Sequence, residues 1–306
     1  MDFTLLHQLC QIHGPSGNES KVKEFILSYV HMHKDKWRYR PRIVQGIDFQ
    51  DCLILEFGTP RTAVFAHMDS IGFTVRYDNR LVPIGGPEAE TGFELVGSDS
   101  KGMIETKMIA DLKEGMLCCD FQRPIERGTD LVFKCDFRET EQIVQSCYLD
   151  NRLGVFIALQ LAETLENGAI VFSCYEEHGG GTVPFLIKYL WDKWQIRQCL
   201  VCDITWKTEG VNLGNGVAVS IRDSRLPRKV FIEKVLKIAR ESGVKFQLEV
   251  EGFGGSDGKE IQSSPYPVDW IFIGVPEENV HSPHEMANKE DIRWMLELYQ
   301  VLMQRL

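Results

Sequence analysis

Ala169-Ile-Val-Phe-Ser-Cys-Tyr175, followed directly by Glu176-Glu177-His178 and glycines through Gly181, is the stretch on which the fold turns. Its apolar, β-branched run reads as a fully buried strand. Two like charges at the mouth of such a strand are costly unless something cationic holds them. By itself the Glu-Glu pair says little, since most such pairs lie on solvated faces. Working outward, other runs of the same kind lead to the same kind of residue. Arg61-Thr-Ala-Val-Phe-Ala66 leads into His67, with Asp69 two residues on. Gln198-Cys-Leu-Val-Cys202 leads into Asp203, and Asp269-Trp-Ile-Phe-Ile-Gly-Val-Pro276 is followed shortly by His281. In an open α/β sheet, sites are built in the crevice beyond the carboxyl ends of the strands. Four strand ends that deliver His, Glu-Glu, Asp and His to one rim describe a metal site.

The bulk properties agree with an enzyme of this build. A chain of 306 residues can bury a sizeable core and suggests roughly two domains. Its net charge of −10 argues against nucleic acid or an anionic membrane as the main partner. No run approaches the ~18 apolar residues of a membrane-spanning helix. Met1-Asp2-Phe3 opens neither a basic nor an apolar leader, so no signal peptide is expected. The nine cysteines are an odd number, and Cys52, Cys174, Cys199 and Cys202 sit inside apolar runs, where free thiols act as small hydrophobes. A reduced, cytoplasmic protein is expected.

The periodicity changes character twice. Residues 1 to about 33 read as two helices around Gly14-Pro15-Ser16-Gly17, and strand-like runs follow at Asp51–Phe57 and Arg61–His67. From Gly72 to Cys147 short strands alternate with turns: Phe73–Tyr77, Leu81–Ile84, Gly102–Ile109, Gly115–Asp120 and Asp130–Cys135. That is the pattern of a small β-barrel or sandwich. After Asp150 helices and strands alternate again, with helices over Leu153–Leu165 and 183–194, one opening at Pro227, and a last one from Asn288. The expected organisation is an α/β catalytic domain of residues 1–72 and 148–306, interrupted by a β-rich unit of residues 73–147.

The candidate ligands each have an ordinary reading beside the functional one. His67 is a core histidine or a ligand whose second ring N–H goes to Asp69, which orients the ring. Asp150, opening Asp150-Asn151-Arg152-Leu153-Gly154, is a helix N-cap or a carboxylate that bridges two cations. Asp203 is costly in a buried strand unless a cation meets it. His281 is a turn residue or a ligand. Together two His and three carboxylates (Asp150, Glu177, Asp203) form an N/O set without thiolate, suited to two Zn²⁺, or to Co²⁺ or Mn²⁺. Glu176, its neighbour being engaged, is then free to act as general base.

In this order and spacing, five stretches resemble the tetrahedral, glutamyl-type aminopeptidase family of dinuclear (co-catalytic) metallopeptidases, formerly often described as endoglucanases. They are Phe65-Ala-His-Met-Asp-Ser-Ile-Gly-Phe73, Leu149-Asp-Asn-Arg-Leu-Gly154, Tyr175-Glu-Glu177, Gly254-Gly-Ser-Asp257 and His281-Ser-Pro-His-Glu285, with Val82-Pro-Ile-Gly-Gly86 inside the β-rich unit. The resemblance implies a phosphorylase/hydrolase-like three-layer αβα domain with an inserted PDZ-like β domain that drives assembly, often to dodecamers. It implies one metal on His67, Asp150 and Asp203, and the other on Asp150, Glu177 and His281. Glu176 is implied as the base and Asp69 as the residue that orients His67. The expected activity is removal of N-terminal residues from short peptides. Ser70 and His178-Gly-Gly-Gly181 depart from the family pattern without removing a ligand.

Other hydrolytic chemistries stand beside this one. The same metals would serve an amidase or deacylase of N-acyl amino acids. A glycosidase would need two carboxyls flanking the scissile bond, about 5–9 Å apart. Adjacent residues on a strand point to opposite faces, and that reading leaves both His and both Asp without a task. A non-catalytic relative would have no use for the complete ligand set.

Overall fold

The computed structural model describes residues 1–111 and 115–306. Two sheets organise them. The larger has eleven strands, and four at its centre run parallel in the order Gly168–Ser173, Ala63–His67, Gln198–Trp206, Asp269–Glu278. Every residue of Ala63–His67 and of Gly168–Ser173 is buried, so helices cover both faces, as parallel strands require. Thr4–Cys10, Leu149–Ala162, Lys229–Ser242 and Lys289–Arg305 pack as one helical group, and Val183–Trp194 with Asp257–Ser263 as another. The architecture is α/β, helix on sheet on helix.

Register positions the rim. Ser173 is level with His67, and Val201 with Phe65, so Asp203 and His67 stand two positions further along neighbouring strands. Asp203 lies within its strand rather than at its end. Pairing with Asp269–Glu278 carries that strand on to Trp206, opposite Glu277.

The helix Leu149–Ala162 is buried at every position but Gln160, which explains why its sequence shows no polar face. It lies hard against the Asp203 strand at Gly154, where a Cβ would come within 2.2 Å of the Cys202 carbonyl oxygen. Only glycine permits that approach.

The second sheet has six strands, all antiparallel, in the order Leu81–Ile84, Gly72–Val75, Asp130–Phe133, Glu94–Asp99, Gly102–Asp111, Met116–Asp120. An isolated bridge between Arg80 and Cys118 joins its two edges, so it closes nearly into a barrel. Its core is its own: Phe73, Leu95, Met108, Leu131 and Phe133 among others. Glu94–Asp99 is the strand the sequence pattern missed, because Gly97 and Ser98 break its apolar alternation. Gly97 is required there, since a Cβ would meet the Asp130 carbonyl oxygen at 2.4 Å. Arg138–Glu139 and Ile143–Ser146 belong to the larger sheet, the latter antiparallel to Glu285–Asn288.

All nine cysteines are free. Cys199 and Cys202, three apart on one strand, turn to opposite faces of the sheet. No helix among the described residues is long and apolar enough to cross a membrane.

Candidate metal centre

His67 ends the buried strand Ala63–His67. Its Nε2 lies 3.2 Å from Asp150 Oδ1 and 3.5 Å from Asp203 Oδ2, while its Nδ1 lies 3.3 Å from Asp69 Oδ1. On the other side of Asp150, Oδ2 is 3.3 Å from His281 Nε2, which is also 3.2 Å from Glu177 Oε2. Donor atoms of His67, Asp150 and Asp203 thus form one compact group, those of Asp150, Glu177 and His281 a second, and Asp150 belongs to both. The structure brings all five expected ligands together, with Glu176 lining the same cleft.

Local structure frees Asp150 for this position. Asp150 and Asn151 carry non-helical backbone angles within the first turn of the helix. Asn151 Oδ1 accepts the Gly154 N–H at 2.9 Å. The capping role therefore falls to Asn151 and the Asp150 carboxylate points into the cleft. Asn151 also donates its side-chain amide to the Cys202 carbonyl at 2.9 Å, next to Asp203.

Two buried carboxylates outside the donor groups hold the ligand-bearing backbone. Asp69, fully buried, accepts the Glu176 N–H on Oδ1 and the Glu177 N–H on Oδ2, each at 3.1 Å. Ser16 donates its hydroxyl to Oδ2 at 2.5 Å. Glu285, also fully buried, accepts from the N–H groups of Leu149 at 2.6 Å, Asp150 at 3.3 Å and His281 at 2.9 Å. In the sequence Glu285 closes the motif His281–Glu285 with no role assigned to it. Nothing local in the sequence marks Glu285, at the start of its strand, as the acceptor of two amides some 135 residues away.

The second sheet reaches the site through one turn. Gly85 donates its N–H to His178 Nδ1 at 2.9 Å, and the Gly86 carbonyl lies 3.1 Å from His281 Nδ1. A proton on that Nδ1 leaves Nε2 as a bare lone pair facing Asp150 and Glu177. His178, one of the departures from the family pattern, thus anchors this turn. Ser70, the other, donates N–H to the Gly14 carbonyl and accepts the Ser16 N–H, so it fixes the loop that brings Ser16 to Asp69.

The backbone is strained where it turns into the cleft. Tyr148, Tyr175 and His281 hold left-handed φ of 64°, 66° and 66°, each at a cost on the order of 1–3 kcal/mol that the surrounding contacts must offset.

The electrostatics ask for cations. Among the described residues seven carboxylates and two histidines line the cleft, and no Lys or Arg does. Burial, reinforced by Asp150, raises the Glu177 carboxyl to about 7. Burial raises Asp203 to about 6 against the pull of His67. Burial opposes protonation of His281, yet Asp150 and Glu177 outweigh it and hold the imidazole up to about 12. Burial pushes Glu176 well above the usual carboxylate range. Glu177 Oε1 is buried with no hydrogen-bond partner. The raised carboxyls and imidazoles mark a shortage of positive charge at the site, and imidazole nitrogens and carboxylate oxygens are the donors that divalent ions take. The residues present fit a metal.

The family model for M42 glutamyl aminopeptidase matches residues 120–298. A protein of Acetivibrio thermocellus provisionally named an aminopeptidase is 24% identical over 331 residues, spanning 95% of this chain and 94% of its own. An aminopeptidase of the archaeon Desulfurococcus kamchatkensis superposes with a TM-score of 0.85 at 21% identity, covering 99% of this chain and 94% of that one. The TET1 peptidase of Pyrococcus horikoshii, which can assemble into a tetrahedron or a large octahedral shell, superposes with a TM-score of 0.79 at 22% identity over 97% of each chain.

Proposed function

Because the chain belongs to the M42 glutamyl aminopeptidase family, we propose that it removes N-terminal residues from short peptides at a co-catalytic pair of divalent ions. One ion would be held by His67, Asp150 and Asp203, the other by Asp150, Glu177 and His281. The observation that carries this reading is Asp150, which turns one oxygen to His67 at 3.2 Å and the other to His281 at 3.3 Å. A carboxylate placed between two His-carboxylate groups is what a bridging ligand needs. When bound, such ions polarise the scissile carbonyl and make hydroxide accessible near neutrality, with Zn²⁺ first for these donors and Co²⁺ or Mn²⁺ as alternatives.

The chain supplies the remaining parts. Glu176, at the cleft wall and outside both donor groups, takes the proton of the attacking water and hands it to the departing amine. Asp69 sets both the His67 ring and the backbone that aims Glu176. The cleft's negative wall draws in the free ammonium of a peptide.

The near-barrel sheet, with its separate core, supports reading residues 73–147 as an inserted PDZ-like unit in a phosphorylase/hydrolase-like domain of residues 1–72 and 148–306. Strands 138–139 and 143–146 rejoin the larger sheet, which moves the working boundary back toward Cys135. The tetrahedral relative supports a homo-oligomer, with a dodecamer as the specific form. Nine free thiols support a reducing cytoplasmic setting.

The test is elemental analysis of purified protein together with hydrolysis of aminoacyl anilides, before and after chelation and with metal added back. Two ions per chain, activity lost to chelator and activity restored by metal are expected. Chelator-insensitive cleavage, or a single bound ion in fully active enzyme, contradicts the dinuclear reading.

A further inference from the structure

The cleft extends beyond the two donor groups, and its far wall is acidic. Asp223 follows the strand Val217–Arg222, Glu249 lies in the strand Phe246–Val250, and Glu251 follows it. All three line the same cavity of about 260 Å³ as His67, Glu176 and His281. Glu249 is 4% exposed and Asp223 8%. Thr205 donates its hydroxyl to Glu249, and Asp223 accepts the Arg225 N–H at 2.5 Å. None of the three carboxylates has a Lys or Arg within ion-pair reach among the described residues. Arg222 spends its Nε on the backbone carbonyls of Asp223 and Glu251, at 3.2 and 3.1 Å. Arg222 and Arg225 temper the charge of Asp223 but neither lines the cleft.

A buried carboxylate without a counter-ion is costly in the empty protein and favourable to any cation that reaches it. A second feature points to the shape of that cation. Trp206 and Phe253 stand at the cleft with 48% and 60% of their surfaces exposed and ring centroids 6.4 Å apart. Trp206 also meets His281 edge-on at 6.2 Å. Two exposed aromatic rings that line the same cavity as the donor groups and the acidic wall form a bed for an aliphatic stem that ends in a positive charge.

We propose that Glu249, Glu251 and Asp223 select peptides whose N-terminal side chain is cationic, lysine or arginine, with Trp206 and Phe253 packing its methylene stem. This rests on the peptidase reading above and names the substrate class of that site. A glutamyl or aspartyl side chain would bring another negative charge to a wall that offers it no Lys or Arg. This member therefore departs from the acidic preference in its family's description.

The test is a panel of Lys, Arg, Leu and Glu anilides with the metal-loaded enzyme, read as kcat/KM. Lys and Arg should exceed Leu by on the order of tenfold and Glu by on the order of a hundredfold, the scale at which an unpaired buried charge rejects the wrong side chain. E249Q and E251Q, each close in shape to the residue replaced, should lower the Lys-to-Leu ratio by on the order of tenfold. Calorimetry with L-lysine and L-norleucine gives a readout without turnover, in which lysine should bind more tightly and lose that advantage in E249Q. A flat panel or a preference for Glu overturns the proposal. So does an equal loss on every substrate in the variants, since the carboxylates would then be reading the α-ammonium shared by all. If no aminoacyl anilide is cleaved by metal-loaded protein, the peptidase reading itself fails and this inference with it.

Discussion

Asp69 Oδ2 accepts the backbone N–H of Glu177 at 3.1 Å. A buried acid that touches no donor group through its own side chain, other than the ring of His67, thereby fixes the peptide that carries two adjacent functional glutamates.

Asp69→Asn replaces one of those acceptor oxygens with an amine facing an N–H, and removes the anion behind the His67 ring. Metal affinity should fall about 10- to 100-fold, as for loss of other groups that orient a ligating histidine. Chelator competition measures it. Unchanged affinity would show that the Glu176–Glu177 turn holds itself.

Glu176→Gln conserves shape and removes only the ability to accept a proton. The variant should keep its metal content, and kcat should fall by on the order of 10²–10⁴. Near-normal turnover would remove Glu176 from the role of base.

Glu285 satisfies three amides, and among the described residues neither oxygen of its buried neighbour Glu277 has a hydrogen-bond partner. Burial first, then repulsion from Glu285 and Asp150, raises the Glu277 carboxyl far above the usual range. Glu285→Ala orphans those amides and should destabilise by roughly 3–5 kcal/mol, at one to a few kcal/mol per stranded group. Denaturant titration checks the loss, and Glu285→Gln should recover most of it. A loss below about 1 kcal/mol for the alanine variant, the size of one ordinary hydrogen bond, would mean that water replaces the carboxylate.

Gly85 holds φ of +71°, and a Cβ there would meet Ile71 Cγ2 at 2.9 Å and the Glu177 carbonyl oxygen at 3.0 Å. Gly85→Ala should push the turn away from His178 and carry the Gly86 carbonyl off His281. One of the two ions should then bind more weakly than the other. Stepwise metal titration resolves this, and two equally weakened sites would contradict it.

Glu19, 1% exposed, accepts the Gly17 N–H at 2.8 Å and the Tyr175 N–H at 3.3 Å. Burial raises its carboxyl from 4.5 to about 7. An acid whose pKa rises on folding stabilises below its unfolded pKa, and that contribution fades as pH climbs through the folded value. Glu19→Gln keeps an acceptor for both amides without the charge. In metal-free protein it should gain on the wild type by ~2–3 kcal/mol between about pH 5 and about pH 8. A pH-independent difference between the two proteins would refute the assignment.

The sequence by itself determined the central parallel strands and the acids in or beyond their ends. The run 169–175 reads as buried because it is almost wholly apolar; the strand Gly168–Ser173 is buried throughout, while Tyr175, in the turn beyond it, is exposed. His67, Asp150, Glu177, Asp203 and His281 were legible as a set, because charges next to apolar strands have few inexpensive explanations. Only the tertiary structure decided who supports them. Glu285 reaches Asp150 across 135 positions, Asp69 reaches Glu177 across 108, and Gly86 reaches His281 across 195. Hydrogen bonds over such separations leave no periodicity in the chain. The acidic far wall was hidden for the same reason. Glu249 alternates with apolar neighbours as any half-exposed strand residue does. Its proposed task exists only where the fold sets it beside Asp223, with no Lys or Arg in ion-pair reach among the described residues.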